Sequence, residues 1–205
     1  MFVNCIKNIN VMQIRSFDLL KKYIKADLYR YATNVSLFSF MRFWFSPGFR
    51  FTFWLRLTQF HARNFRGIFF WFSFFVLRHY QFKYGIAINY TTNIGPGLYI
   101  GHFGGIVVNP HCIIGRNVNL SPGILLGQGY DKRSNKIAYP IIGDRVFLAN
   151  NAKVIGNVIV GNGAVVGINS VLLQNIKDNA IAVGIPAEVV SFKGSSDYVG
   201  SYIDV

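Results

Sequence analysis

From Ile88 to Leu172 an aliphatic position, usually followed by a small residue, returns every six residues. The first run is Ile88, Ile94-Gly95, Ile100-Gly101 and Ile106; after a slip of two the phase resumes at Val108, Ile114-Gly115, Leu120-Ser121 and Leu126-Gly127. An interruption follows, and the pattern returns at Ile142-Gly143, Leu148-Ala149, Val154, Val160-Gly161, Val166-Gly167 and Leu172. This period fits neither a helical face nor a long alternating strand. It predicts coils of three short strands, one hexapeptide each, with the aliphatic residue inward and the small residue turning the corner. Asn93, Asn117, Asn157 and Asn162 with Gly163 are expected to supply positive φ at corners. Stacked coils share one apolar column, so the predicted fold is mainly β and grows along one axis.

The interruption reads GQGYDKRSNKIAYP from Gly127 to Pro140, polar, charged and out of phase. Residues 128–140 are expected to leave the coil as a projecting loop, a usual place for binding residues. Before the repeats the pattern changes. Ile14, Phe17, Leu20, Ile24 and Leu28 recur near helical spacing, which predicts an amphipathic helix within residues 10–34. Residues 38–57 mix large aromatics with Arg42, Arg50, Arg56 and the pair Pro47-Gly48. Ile68 to Leu77 is apolar throughout and flanked by Arg66 and Arg78. That run is too short for a bilayer, which needs about 20 apolar residues. Its chemistry suits a segment lying in a membrane interface, rings at headgroup level and cations on anionic lipid. The alternative is a helical subdomain packed on the coil or on other subunits.

Composition sharpens the division. Residues 1–85 hold 13 Lys and Arg against 2 acids, a net +11, whereas residues 86–205 hold 8 against 6, a net +2. Of 20 Phe, 17 lie before position 86, with all three Trp, while 17 of 20 Gly lie after position 85. The boundary therefore falls at Gly85, giving a helical region at 1–85, a coil at 86–193 and a tail at 194–205. The basic charge sits in segments too apolar for an exposed nucleic-acid groove, so that partner is excluded. Cys5 and Cys112 form no metal or redox spacing, which suits a reducing compartment and no disulfide framework. The first residues show no secretory signal pattern, so a cytoplasmic location is expected, at the inner face of the membrane if the aromatic region docks there.

Several motifs carry a family resemblance over residues 86–193: IGPGLYIGHFGGIVVN, the interrupted GQG…YPIIGD, AKVIGNVIVGNGAVVGINSVL and the closing AVGIPAEVV. They resemble the hexapeptide-repeat acyltransferases, serine acetyltransferases and their relatives that O-acetylate bacterial surface polysaccharides. The resemblance implies a left-handed parallel β-helix, acetyl-CoA as co-substrate, no metal, and a homotrimer or a pair of trimers. The histidine of the GHFGG element, His102, would be the general base. An alcohol must lose its proton as it attacks a thioester, and imidazole handles protons near neutral pH. The donor would lie along Gly127, Gln128, Ala149, Asn150, Gly167 and Ile168, with Lys153 and Lys193 on the CoA phosphates. Tyr99, Phe103, Tyr130 and Tyr139 are candidates for acceptor contact.

The chain departs from serine acetyltransferases in three places. The aspartate that partners the histidine aligns with Ala87, a second histidine aligns with Asn89, and an Arg-His pair that helps hold serine aligns with Ala138 and Tyr139. Asn89 or Asp131 is left to orient His102. These departures turn the expectation toward a sugar hydroxyl of a capsular or other surface polysaccharide, or of its lipid-linked precursor. Serine or another small molecule, and a non-enzymatic membrane scaffold, are the alternatives. A β-helix carbonic anhydrase is excluded, because only His102 and His111 lie in the coil and its zinc needs three histidines.

Overall fold

The computed structural model describes residues 14–131 and 135–204. The first part of the expected 10–34 helix, residues 10–13, lies outside them, as do Cys5, the loop tip at 132–134 and Val205. Helix α1 spans Phe17–Tyr29 and begins at Ser16, whose hydroxyl accepts a hydrogen bond from the Leu19 amide. Helix α2 covers Leu37–Phe43, α3 Pro47–Asn64 with proline in its first turn, and α4 Ile68–Tyr84. Gly85 closes α4 in the left-handed conformation, at φ 61°, and the chain enters the first coil directly.

The repeats then build a parallel β-helix with three faces. The first face joins β1 (Ile86–Ile88), β3 (Ile106–Val108), β6 (Leu125–Gly127), β11 (Lys153–Ile155) and β14 (Val171–Leu172), all parallel. The third holds β2 (Asn93–Ile94), β4 (Ile113–Ile114), β9 (Ile141–Ile142) and β12 (Ile159–Val160). The second holds β5 (Asn119–Leu120), β10 (Phe147–Leu148), β13 (Val165–Val166) and β15 (Ile181–Gly184), closed by the antiparallel β16 (Ala187–Ser191). The interruption is a two-stranded ribbon, β7 (Gly129–Asp131) with β8 (Lys136–Ala138), so the projecting segment carries structure of its own.

Every aliphatic residue of the six-residue pattern is buried, from Ile88 to Leu172, none more than 3% exposed. A second inward position, two residues earlier, completes each strand: Val118 before Leu120, Ile124 before Leu126, Ala164 before Val166. The corners differ from expectation. Asn117 and Gly163 do take positive φ, but Asn93, Asn157 and Asn162 do not; Arg145, Asn151, Asn169 and Asn179 do. Asn162 instead spends its carboxamide across coils, accepting from the Asp144 amide at 2.8 Å.

The helices form a layer on the first coil. Asp27 and Arg56, both fully buried, meet at 2.8 Å between α1 and α3. Asp27 also accepts from the amides of Gly97 and Leu98, and Arg56 donates to the carbonyls of Ile94 and Gly95. Phe49, Phe51 and Leu55 are buried beside them. Phe49, Phe51, Leu55 and Arg56 are therefore turned inward, and Arg56 is not a cation for lipid; this corrects the expectation for those positions. At the other end the tail returns across the second face. The Tyr198 ring stacks on Phe147 at 5.0 Å, and Arg30 donates to the carbonyls of Gly200 and Ser201.

Candidate active site

The turn Gly101 to Gly105 carries the chain from the second face to the first, and it presents His102 exposed to solvent. Gly104 and Gly105 have φ of 115° and 65°, which side chains rarely tolerate, so the turn depends on both glycines. The helical layer holds the turn at both ends. The Tyr31 hydroxyl donates to the Ile100 carbonyl at 2.9 Å and accepts from the Ile100 amide at 3.1 Å. Burial pushes the Tyr31 phenol well above its ordinary value, which keeps it a neutral hydroxyl able to do both. Gly48 lies so close to the Ile100 carbonyl that a Cβ there would overlap it. On the far side the Phe103 ring packs on Tyr84 at 5.4 Å, and Arg50 donates to the Tyr84 hydroxyl. Nothing in the sequence singles out Tyr31 or Tyr84, and it marks Gly48 and Arg50 only as part of an aromatic, basic stretch.

Four of the donor-site candidates share this edge. Ala149-Asn150 and Gly167-Ile168 turn the same corner in later coils, joined by the Ala149 amide to the Val166 carbonyl and the Asn169 amide to the Asn150 carbonyl, both 2.9 Å. With coils spaced about 4.8 Å apart, they stand roughly 10 and 14 Å along the axis from His102's coil. Asn150 and Ile168 are exposed, Gly167 is half-buried and Ala149 is buried.

The remaining candidates gather at the opposite edge, where the first face meets the third. Asn89, Gly127 and Gln128 line an open cleft of about 540 Å³ with Ala87, Asn109, Arg78 and Gln81. The ribbon stands at the same corner, bearing exposed Tyr130, whose hydroxyl bonds Asn135. The His111 ring packs at a tilt against Tyr139 at the ribbon's foot, 4.8 Å between centroids.

Neither candidate orienter reaches His102 within the protomer. Asn89 follows β1, level with Asn109, whereas His102 precedes β3 by four residues; its carboxamide oxygen accepts from the Thr91 amide and hydroxyl. Asp131 accepts from Asn157 at 3.1 Å at the ribbon corner. Tyr99 is displaced from the acceptor role, because its ring is wedged against Tyr31 at 4.7 Å and under the Arg30 guanidinium. Lys153 lies on the first face, its ammonium on the Asn151 carbonyl, and Lys193 is exposed beyond β16. Cys112 is buried and its thiol is pushed up to about 12 by desolvation, so it is not a nucleophile.

A stack of hexapeptide coils with an open histidine at one corner and small turn residues above it defines a left-handed β-helix of the hexapeptide-repeat, serine acetyltransferase-like kind. The chain is 38% identical over 114 residues to the serine acetyltransferase of Staphylococcus aureus strain Mu50, a match covering 56% of this chain and 53% of the relative. The serine acetyltransferase of Staphylococcus epidermidis strain ATCC 12228 matches at the same identity and coverage. The chain thus spans about half the length of the curated relatives it matches. Among solved structures, a serine acetyltransferase in complex with CoA superposes with a TM-score of 0.69 at 25% identity, covering 85% of this chain and 71% of the other. Neisseria gonorrhoeae serine acetyltransferase gives 0.71 at 22% identity, covering 90% and 71%. No protein-family model matches the chain. These relatives are serine acetyltransferases, which overturns the expectation of a surface-polysaccharide acceptor. The departures at Ala87, Ala138 and Tyr139 bear on how the histidine and the acceptor are held, not on which branch of the fold the coil resembles.

Proposed function

We propose that this chain is an acetyl-CoA-dependent O-acetyltransferase of serine or another small hydroxylated molecule. In this reading residues 86–193 are the acyltransferase unit, 1–85 the helical region and 194–205 a tail. The carrying observation is one edge of the coil: an exposed His102 beneath a column of small turn residues, in a chain similar to serine acetyltransferases. His102 takes the proton of the acceptor hydroxyl as its oxygen attacks the acetyl carbonyl. Backbone amides are the donors available to the oxyanion at such a corner. The tetrahedral species collapses to ester and CoA thiolate, and the imidazolium returns its proton to that sulfur. The pantetheine arm follows Ala149, Asn150, Gly167 and Ile168, with Lys153 and Lys193 available to the phosphates.

The two candidate edges flank the first face, roughly 15 Å apart at strand spacing, too far for one small acceptor to touch both. A threefold head-to-tail ring sets the His102 edge of one protomer against the Gln128 and Asp131 edge of the next. The working form is therefore a homotrimer, singly or paired, in the cytoplasm.

The test is CoA release from acetyl-CoA by the purified full chain, read with a thiol reagent, against serine and a panel of small amino alcohols. Saturable release with at least one supports the reading; no release with any overturns it. If serine is used, its KM should exceed that of the Staphylococcus aureus relative by roughly ten- to hundredfold. The substitutions at Ala138 and Tyr139 forgo bonds to a charged group worth about 1.5–3 kcal/mol. Ala138→Arg with Tyr139→His should then lower the KM, and an unchanged value would show that these positions do not touch the acceptor.

A further inference from the structure

The helical layer has a second side. Helix α4 turns Ser73, Leu77 and Tyr84 inward, and turns Ile68, Phe69, Trp71, Phe72 and Phe75 outward, each 52–78% exposed. Leu37, Phe38 and Met41 on α2 and Phe45 just beyond it are exposed as well. Ring contacts tie the two sets into one surface across α3, from Phe40 to Phe53, Phe53 to Trp54 and Trp54 to Phe72, each at 5.7–5.9 Å. So many large apolar side chains on one surface exceed what a soluble face ordinarily shows.

Charge decides what covers it. Residues 37–84 contain seven Lys and Arg and no Asp or Glu. Arg56 is neutralised inside by Asp27 and half-buried Arg50 serves the Tyr84 hydroxyl, while Arg42, Arg63, Arg66, Arg78 and Lys83 are exposed; Arg78 lies over the Phe82 ring at 4.6 Å. A second copy of the same face would bring cations against cations with no carboxylate between them. An anionic surface would complement them and take the rings into its interface. No helix among the described residues is long and apolar enough to cross a membrane, so α4 has to lie along the surface.

We propose that the outer face of α2 and α4 rests in the plane of an anionic lipid membrane, held by its rings and by Arg63 and Arg66 at the turn between α3 and α4. This face is remote in sequence from His102, and its binding does not depend on acetyl transfer. The test is co-sedimentation of the full chain with vesicles of phosphatidylcholine alone, or of phosphatidylcholine and phosphatidylglycerol in equal parts. The protein should pellet with the mixed vesicles, remain in solution with phosphatidylcholine alone, and detach in high salt. Each cation near an anionic surface is worth about fivefold, so Arg63→Gln with Arg66→Gln should weaken partitioning about thirtyfold. Phe72→Ser with Phe75→Ser should abolish it while leaving CoA release unchanged, with only a small fall in melting temperature from the lost ring contact to Trp54. Equal binding to both vesicles, or to neither, overturns the proposal. So does a Phe72→Ser, Phe75→Ser variant that lowers the oligomeric state, because the face would then be covered by another copy.

Discussion

His102→Ala is expected to lower kcat for acetyl transfer by about 10²–10⁴-fold, with the melting temperature unchanged, as read by CoA release. The imidazole is exposed, so its loss opens no buried cavity and the effect should fall on chemistry. The expectation gains from the way the turn is fixed. Ile100 is clamped through both its amide and its carbonyl by Tyr31, and Phe103 rests on Tyr84, so the residue between them is positioned by the helical layer. A loss under tenfold would mean that another group takes the hydroxyl proton.

Asp27→Ala is expected to destabilise the protein by about 3–5 kcal/mol, because it leaves the fully buried Arg56 guanidinium without its carboxylate. At this chain length each kcal/mol moves the melting temperature by about 2–4 °C, so a scan should show a fall of roughly 6–20 °C. Arg56→Met should cost a similar amount by stranding the carboxylate. The double variant Asp27→Leu, Arg56→Met should lose less than the sum, since no charge is left unpaired. It should not recover fully. Asp27 caps the Gly97 and Leu98 amides and Arg56 serves the Ile94 and Gly95 carbonyls, so those backbone groups lose partners at about 1–3 kcal/mol each. Single variants melting within a degree of the parent would show that the helices are not keyed to the coil by this pair.

The coil was legible because its core repeats a single choice. One aliphatic residue per hexapeptide is enough to expose the period, and each of those residues is inward. The second inward position was hidden because it varies in size, Val118 in one strand and Ala164 in another, and Ala gives no hydropathy signal of its own. Corner chemistry was half legible: asparagine at corners was expected, but which asparagine takes positive φ depends on its place in the turn. The helical layer was the least legible part. Asp27 and Arg56 lie 29 residues apart on different helices, and nothing local marks them as a buried pair. Arg42, Arg50 and Arg56 look alike in sequence, yet one is sealed in the core.

At the site, His102 and the Ala149 and Gly167 turns follow from the repeat and the GHFGG motif, since equal phase puts them on one edge. Asn89 and Asp131 fail as orienters within a protomer because sequence alignment counts coils but not which end of a face a residue occupies. The acceptor is illegible for a related reason: the departures at Ala87, Ala138 and Tyr139 suggest a polysaccharide, while the relatives are serine acetyltransferases.

The central claim is that a cleft between neighbouring protomers brings a CoA thioester to His102. A crystal structure of the full chain with CoA tests it most directly. It should contain a threefold ring, with the pantetheine along Ala149, Asn150, Gly167 and Ile168 and the CoA sulfur beside the His102 imidazole. A monomer, or a ring in which CoA binds away from that imidazole, would contradict it.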